Sequence, residues 1–193
     1  MSEIQAAVDL ILECDKLKAV LRRTRPAGLE RAENSGEHSW SAALFAMALF
    51  PHAPEGIDRL KVLEMLLVHD VVEIDAGDTF FYDDRPEKEA EELKAAERIF
   101  AMLPGPEGER MLARWIEFEA GESPEAAFAK ALDRLLPMVQ NVAGGGRSWR
   151  ENGVTLEMAL SKNSMIKKGS ESLWNYAKEM LENAGKKGMF GAE

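Results

Sequence analysis

From Leu60 to Ile74 nearly every position is apolar, and the exceptions are Lys61, Glu64, His69, Asp70 and Glu73. The run outlasts an ordinary strand and falls short of a membrane span. It therefore predicts a helix buried at the centre of a helical fold. Asp70 then poses a problem, because it sits in this helix with no lysine or arginine in the same turn. Burying an unpaired carboxylate is costly, so something cationic must face it.

The other segments also read as helices. Ile4, Ala7, Val8, Ile11 and Leu12 recur at helical spacing and predict an amphipathic helix to about Arg23, before Pro26-Ala27-Gly28. Asn34, with Glu37 three residues on, is an N-terminal signal for a helix that carries His38 and runs to about Phe50. Gly77 and the stretch from Phe80 to Pro86 close the central helix and leave an aromatic, acidic loop (Phe80, Phe81, Tyr82, Asp83, Asp84) able to cover a site. Further helices are expected over 87–102, 107–120 and 124–142, the last capped by Ser123 with Pro124 in its first turn. Pro137 lies inside that helix and opposes the carbonyl of Asp133, which predicts a kink there. Gly144-Gly145-Gly146 reads as a flexible link, helices from about Thr155 and Ser172 follow, and a frayed tail is expected from about Gly185. No alternating strand pattern is present, so the fold class is all-α.

At 193 residues and 46% hydrophobic content, the chain suits one domain with a well-buried core. A single cysteine, Cys14, cannot form an internal disulfide framework, and the first residues lack the order of a signal peptide. A reducing, cytoplasmic setting and no membrane partner are expected. A net charge of −10 repels a nucleic-acid polymer. A small anionic substrate remains compatible, because a metal ion and a few arginines can reverse the potential within one cleft.

Two of the three histidines lie in an acid–histidine series: His38, then His69-Asp70, then Asp133. Two imidazoles and two carboxylates from three helices can hold a divalent ion and leave positions open for water and substrate. Taken singly, each residue has an ordinary alternative: His38 as a hydrogen-bonded core histidine, Asp133 as the partner of Arg134 or Lys130. Taken in order, they resemble the HD-domain metal-dependent phosphohydrolases, whose His-Asp pair is matched by His69-Asp70. Leu17-Lys18, Arg22, Glu33-Asn34-Ser35-Gly36-Glu37-His38-Ser39, His69-Asp70-Val71-Val72-Glu73 and Gly77-Asp78 are similar to the 5'-deoxynucleotidase (YfbR-like) branch. Guanosine-tetraphosphate hydrolases have Glu-Asp where this chain has Glu73-Ile74, and the cyclic-nucleotide phosphodiesterases carry additional histidines.

The resemblance implies an HD-domain helical bundle, commonly a homodimer, that releases phosphate from nucleoside 5'-monophosphates, deoxynucleotides foremost. It puts a divalent ion on His38, His69, Asp70 and Asp133, with manganese, cobalt or magnesium favoured and zinc or iron compatible. Glu73, one turn after the His-Asp pair, is within reach of an attacking water as base or orienter, and Asp78 can orient substrate or protonate the leaving alkoxide. Arg22 is the expected phosphate ligand. Arg23 stands where the branch can carry an aromatic, which predicts a relaxed sugar preference. Another small phosphate ester as substrate, or a metal-stabilised nucleotide-binding module without turnover, are the alternative readings.

Overall fold

The computed structural model describes residues 2–83 and 86–191, so Asp84 of the aromatic, acidic loop lies outside the described residues. Eleven α-helices are found among the described residues. The longer ones are α1 (Glu3–Cys14), α2 (Ser35–Leu49), α3 (Arg59–Val68), α5 (Lys88–Phe100), α6 (Pro106–Ala120), α7 (Pro124–Ala143), α9 (Leu156–Asn163) and α11 (Glu171–Lys186). Short turns of helix, α4 (Glu73–Ala76), α8 (Arg147–Glu151) and α10 (Ile166–Gly169), lie between them. No helix of these residues is long and apolar enough to cross a membrane.

The apolar run does form the centre. Val62, Met65 and Leu66 of α3 are fully buried, and the helix packs on α2, α6 and α7. It does not continue to Ile74, however. Regular helix ends at Val68, and Val71, Glu73 and Ile74 bond back only three residues. Adjacent residues on a regular helix do not face each other, so ending it here frees His69 and Asp70 to point at one centre. The long helix α7 runs through Pro137 and is buried along most of its length. Gly169 seats α10 against it, because a Cβ at that position would stand 2.3 Å from the carbonyl oxygen of Ala127.

The first helix departs from expectation. It ends at Cys14, continues as a 3-10 turn (Asp15–Ala19), and gives way to extended backbone. Arg22 N–H donates to the Glu33 carbonyl at 2.9 Å and Glu33 N–H to that of Thr24 at 3.0 Å. Arg22 and Arg23 therefore lie on a ribbon, with an isolated antiparallel bridge between Leu21 and Asn34, and not at a helix end. The helical apolar spacing stops at Leu12, and nothing after it resisted this local pairing. The face of α1 is also turned outward: Ile4, Ile11 and Leu12 are exposed, and only Ala6 and Leu10 are buried.

Two further expectations are corrected. Gly144-Gly145-Gly146 is a tight turn and not a flexible link, since Gly146 donates to the Asn141 carbonyl at 2.7 Å and lies against Met189. The residues after α11 pack down instead of fraying: Phe190 stacks on Trp149 at 4.4 Å and Gly191 N–H bonds to the Val154 carbonyl. Aromatic burial holds a segment that its composition alone would leave loose.

Candidate metal and phosphate site

Asn34 caps α2 as its spacing predicts. Its side chain accepts from Glu37 N–H at 2.9 Å, and the Glu37 carboxylate accepts from Asn34 N–H at 3.2 Å. This cap fixes the start of α2 and directs His38 into the interior, where it is wholly buried. Its Nε2 stands 2.9 Å from Asp133 Oδ1, while Nδ1 lies 3.4 Å from Glu33 Oε2. His69, at the end of α3, donates from Nδ1 to the Leu66 carbonyl at 2.9 Å. That bond leaves His69 Nε2 facing the same centre, 3.1 Å from Asp70 Oδ1 and 3.6 Å from Asp133 Oδ1, with no hydrogen-bond partner.

One ligand atom each from His38, His69 and Asp133 thus lies within 4.8 Å of the others. Asp70 adjoins this group through Oδ1, and its Oδ2 accepts from Arg22 at 2.7 Å. The donor set fits a divalent cation. His38 Nδ1 is buried without a hydrogen-bond partner 3.4 Å from the Glu33 carboxylate, and its Nε2 lies 2.9 Å from an Asp133 oxygen, so in the tautomer with Nδ1–H toward Glu33 a cation would satisfy both Nε2 and that oxygen. The carboxylates also act on His69. Burial opposes its charged form, yet Asp70 and Asp133 outweigh burial and push it up to about 9. Asp133 is held well below the usual carboxylate range, its burial overcome by Arg134, His38 and His69.

Around this centre the carboxylates divide into two kinds. Burial, then repulsion by Asp70, push Glu73 up to about 8 against the pull of Arg22, and Ser35 Oγ donates to its Oε2 at 2.5 Å. Burial also raises Asp78, which stands 3.8 Å from Arg22. Glu33 behaves oppositely: burial disfavours its ionised form, but His38, Gln140 and Arg22 hold it below the ordinary range. It accepts from Gln140 at 2.6 Å and Thr24 at 3.2 Å. Sequence reasoning assigned Glu33 no role, and the one signal was its place directly before the cap. Its geometry is that of a carboxylate orienting a ligand histidine. Glu37, in contrast, is spent on the cap and on Arg31.

Asp70, Glu73, Asp78 and Asp133 line a cavity with a water-accessible volume of about 90 Å³. Arg22 reaches it from the ribbon, largely buried, and its charge is shared among Asp70, Glu33 and Asp78. Arg23 is at the rim, half-exposed, 3.2 Å from Asp83 and over the ring of Phe80. Phe81 stacks under the guanidinium of Arg134 at 3.7 Å, and the Tyr82 hydroxyl accepts from Asn163 at 3.2 Å. The aromatic loop therefore does border the site. Arg134, which the sequence offered only as a partner for Asp133, lines the same wall with its Nε 3.5 Å from that carboxylate.

A family model for the HD domain matches residues 14–174, most of the chain and the whole of this site. The chain belongs to the HD-domain family. Among HD-domain proteins it is 28% identical over 137 residues to human 5'-deoxynucleotidase HDDC2, covering 67% of this chain and 66% of that one. It is 32% identical over 136 residues to the HDDC2 of Dictyostelium discoideum, covering 66% and 71%. The matched segment thus spans about two thirds of these relatives' own length. The structure superposes with a TM-score of 0.95 on the crystal structure of a "Predicted metal-dependent phosphohydrolase" from Magnetospirillum magnetotacticum, at 40% identity, covering 99% of this chain and 97% of that one. The PH0347 protein of Pyrococcus horikoshii shares the fold alone, at 20% identity and a TM-score of 0.64, covering 93% and 99%.

Proposed function

We propose that this HD-domain protein is a metal-dependent phosphomonoesterase acting on nucleoside 5'-monophosphates, deoxynucleotides foremost. The observation that carries the reading is the convergence of His38, His69 and Asp133, with Asp70 beside them, next to a cavity that Asp70, Asp133 and Arg22 line. The kinship with proteins named 5'-deoxynucleotidase supports the substrate class. His38, His69, Asp70 and Asp133 would hold the ion, which when bound polarises a phosphoryl oxygen and acidifies water. Manganese, cobalt and magnesium head the candidates, and loading of the metal-free protein with each in turn decides among them.

The chain's own groups account for the rest. Arg22 presents a fork of donors to the phosphate, and its neighbours Asp70 and Asp78 keep it charged and in place. Glu73, pushed up to about 8 by burial and Asp70 and oriented by Ser35, takes the proton from the attacking water. Asp78, whose proton affinity burial raises and which stands 3.8 Å from Arg22, is placed to orient the substrate or to protonate the leaving 5'-oxygen. The Phe80–Tyr82 wall screens the cavity from bulk water and offers faces to sugar and base. A homodimer in the cytoplasm completes the reading, supported by the exposed apolar side chains Trp40, Leu44 and Met47 on α2 and by the lone Cys14. Light scattering of the purified protein tests the dimer.

Two outcomes follow at the rim of the site. Arg22→Ala should lose about 1.5–3 kcal/mol of charge-assisted bonding, roughly one to two decades in kcat/KM, for every base. It should also lower Tm, because Asp70 and Glu33 lose their buried partner. Arg22→Lys should recover more of the Tm than of the kcat/KM, since an ammonium keeps the charge and loses the fork. Loss confined to one base would remove Arg22 from the phosphate. Arg23, paired with Asp83 and stacked on Phe80, leaves a polar and adaptable neighbour at the sugar. Comparing dAMP with AMP and dUMP with UMP should therefore show a modest deoxyribose preference, and strong rejection of both ribonucleotides would show that Arg23 does not relax it. No hydrolysis of any of the four would turn the assignment toward another phosphate ester.

A further inference from the structure

Asn141 is a buried side chain that the metal and phosphate chemistry does not use. It is 7% exposed and lines the cavity. It follows Asp133 and Pro137 on the same face of α7, at successive spacings of four residues. Its Nδ2 donates to the Pro137 carbonyl at 2.9 Å, while its Oδ1 is buried with no hydrogen-bond partner. The amide cannot be turned the other way, because that would set two oxygens against each other. A buried acceptor without a donor is costly, and such groups in a cavity wall are commonly satisfied by what the cavity binds.

We infer that Asn141 Oδ1 accepts a hydrogen bond from an N–H of the nucleobase and is a specificity-determining contact of this site. This rests on the nucleotidase reading and adds the end of the substrate that the site reads. Position decides the partner. Eight residues of helix place Asn141 about 12 Å along α7 from Asp133, farther than a phosphoester held at the metal ligands reaches and at a distance suited to the base. The same cavity is lined by aromatic side chains, Phe81, which stacks on Arg134 at 3.7 Å, and Trp149. One N–H of the amide is committed to Pro137 and the atom left without a partner is the Oδ1 acceptor, so the matching group on the base is a donor. Exocyclic amines of adenine, cytosine and guanine and the imide of thymine or uracil all qualify, which predicts acceptance of several bases provided an N–H is present.

The test compares kcat/KM of the metal-loaded protein on the four deoxynucleoside 5'-monophosphates with that on analogues whose base N–H is blocked, such as N6,N6-dimethyladenine and N3-methylthymine. For the base turned over best, methylation should cost about tenfold to a hundredfold. Asn141→Leu, which keeps the bulk and removes the acceptor, should lower turnover of the parent nucleotide and bring the parent-to-methylated ratio close to one. Because that ratio is internal to each protein, partial misfolding of the variant does not imitate it. Wild-type indifference to methylation overturns the assignment, and so does discrimination that persists in Asn141→Leu. Absence of turnover for every nucleotide removes the nucleotidase reading itself, and the contact with it.

Discussion

Alanine at His38, His69 or Asp133 should strip the ion from the protein and depress hydrolysis by roughly three decades or more, since Lewis-acid stabilisation contributes several kcal/mol to such a barrier. The three supply ligand atoms within 4.8 Å of one another, so each removal opens the site and leaves too few donors. Asp70→Ala should do the same and additionally release Arg22, whose 2.7 Å bond it receives. Metal content measured on the purified variants, beside phosphate release from dAMP, checks both halves. Chelation of the wild type should abolish activity and a divalent ion restore it. Hydrolysis unchanged after verified metal removal would end the proposal. Loading should also release protons, because His69, pushed up to about 9, is protonated at neutral pH in the metal-free chain. Affinity should therefore rise as pH rises toward 9, which calorimetry in buffers of different ionisation enthalpy can read.

Glu73→Gln should lower kcat by about 10²–10⁴-fold while leaving metal content close to wild type. The carboxylate is 6% exposed, held by Ser35, and pushed up to about 8 by burial and by Asp70. Glutamine preserves its volume and one acceptor for the Ser35 hydroxyl but cannot take a proton. Near-normal turnover would return Glu73 to a packing role. Loss of metal together with turnover would instead mean that it supports the ligands. Asp78→Asn should also slow turnover, and less severely, because Arg22 at 3.8 Å still orients the amide.

The order His38, His69-Asp70, Asp133 was legible because metal ligation demands particular residue types, and these rarely interrupt apolar helices without a reason. Helices with strong local signals were legible too: the Asn34–Glu37 capping box and the Ser123-Pro124 start of α7 satisfy orphan amides within a few residues. The end of the first helix was not, because the pairing of residues 20–24 with 33–35 depends on a second segment that local periodicity does not see. For the same reason the role of Glu33 stayed hidden. Its neighbours in sequence are Ala32 and the helix cap Asn34, while the groups that give it meaning, His38, Gln140 and Arg22, are brought to it by the fold.

By itself the sequence determined the all-α class, the candidate ligand set and the residues able to handle phosphate, since each follows from side-chain chemistry and short-range spacing. Tertiary structure decided the rest: which oxygens of Asp70 and Asp133 face the imidazoles, why Glu73 and Glu33 differ in proton affinity, and that Asn141 has an acceptor without a donor. Those properties arise from burial and from charges contributed by segments far apart in the chain. Coulombic and desolvation energies depend on distance in space, which only the packed helices set.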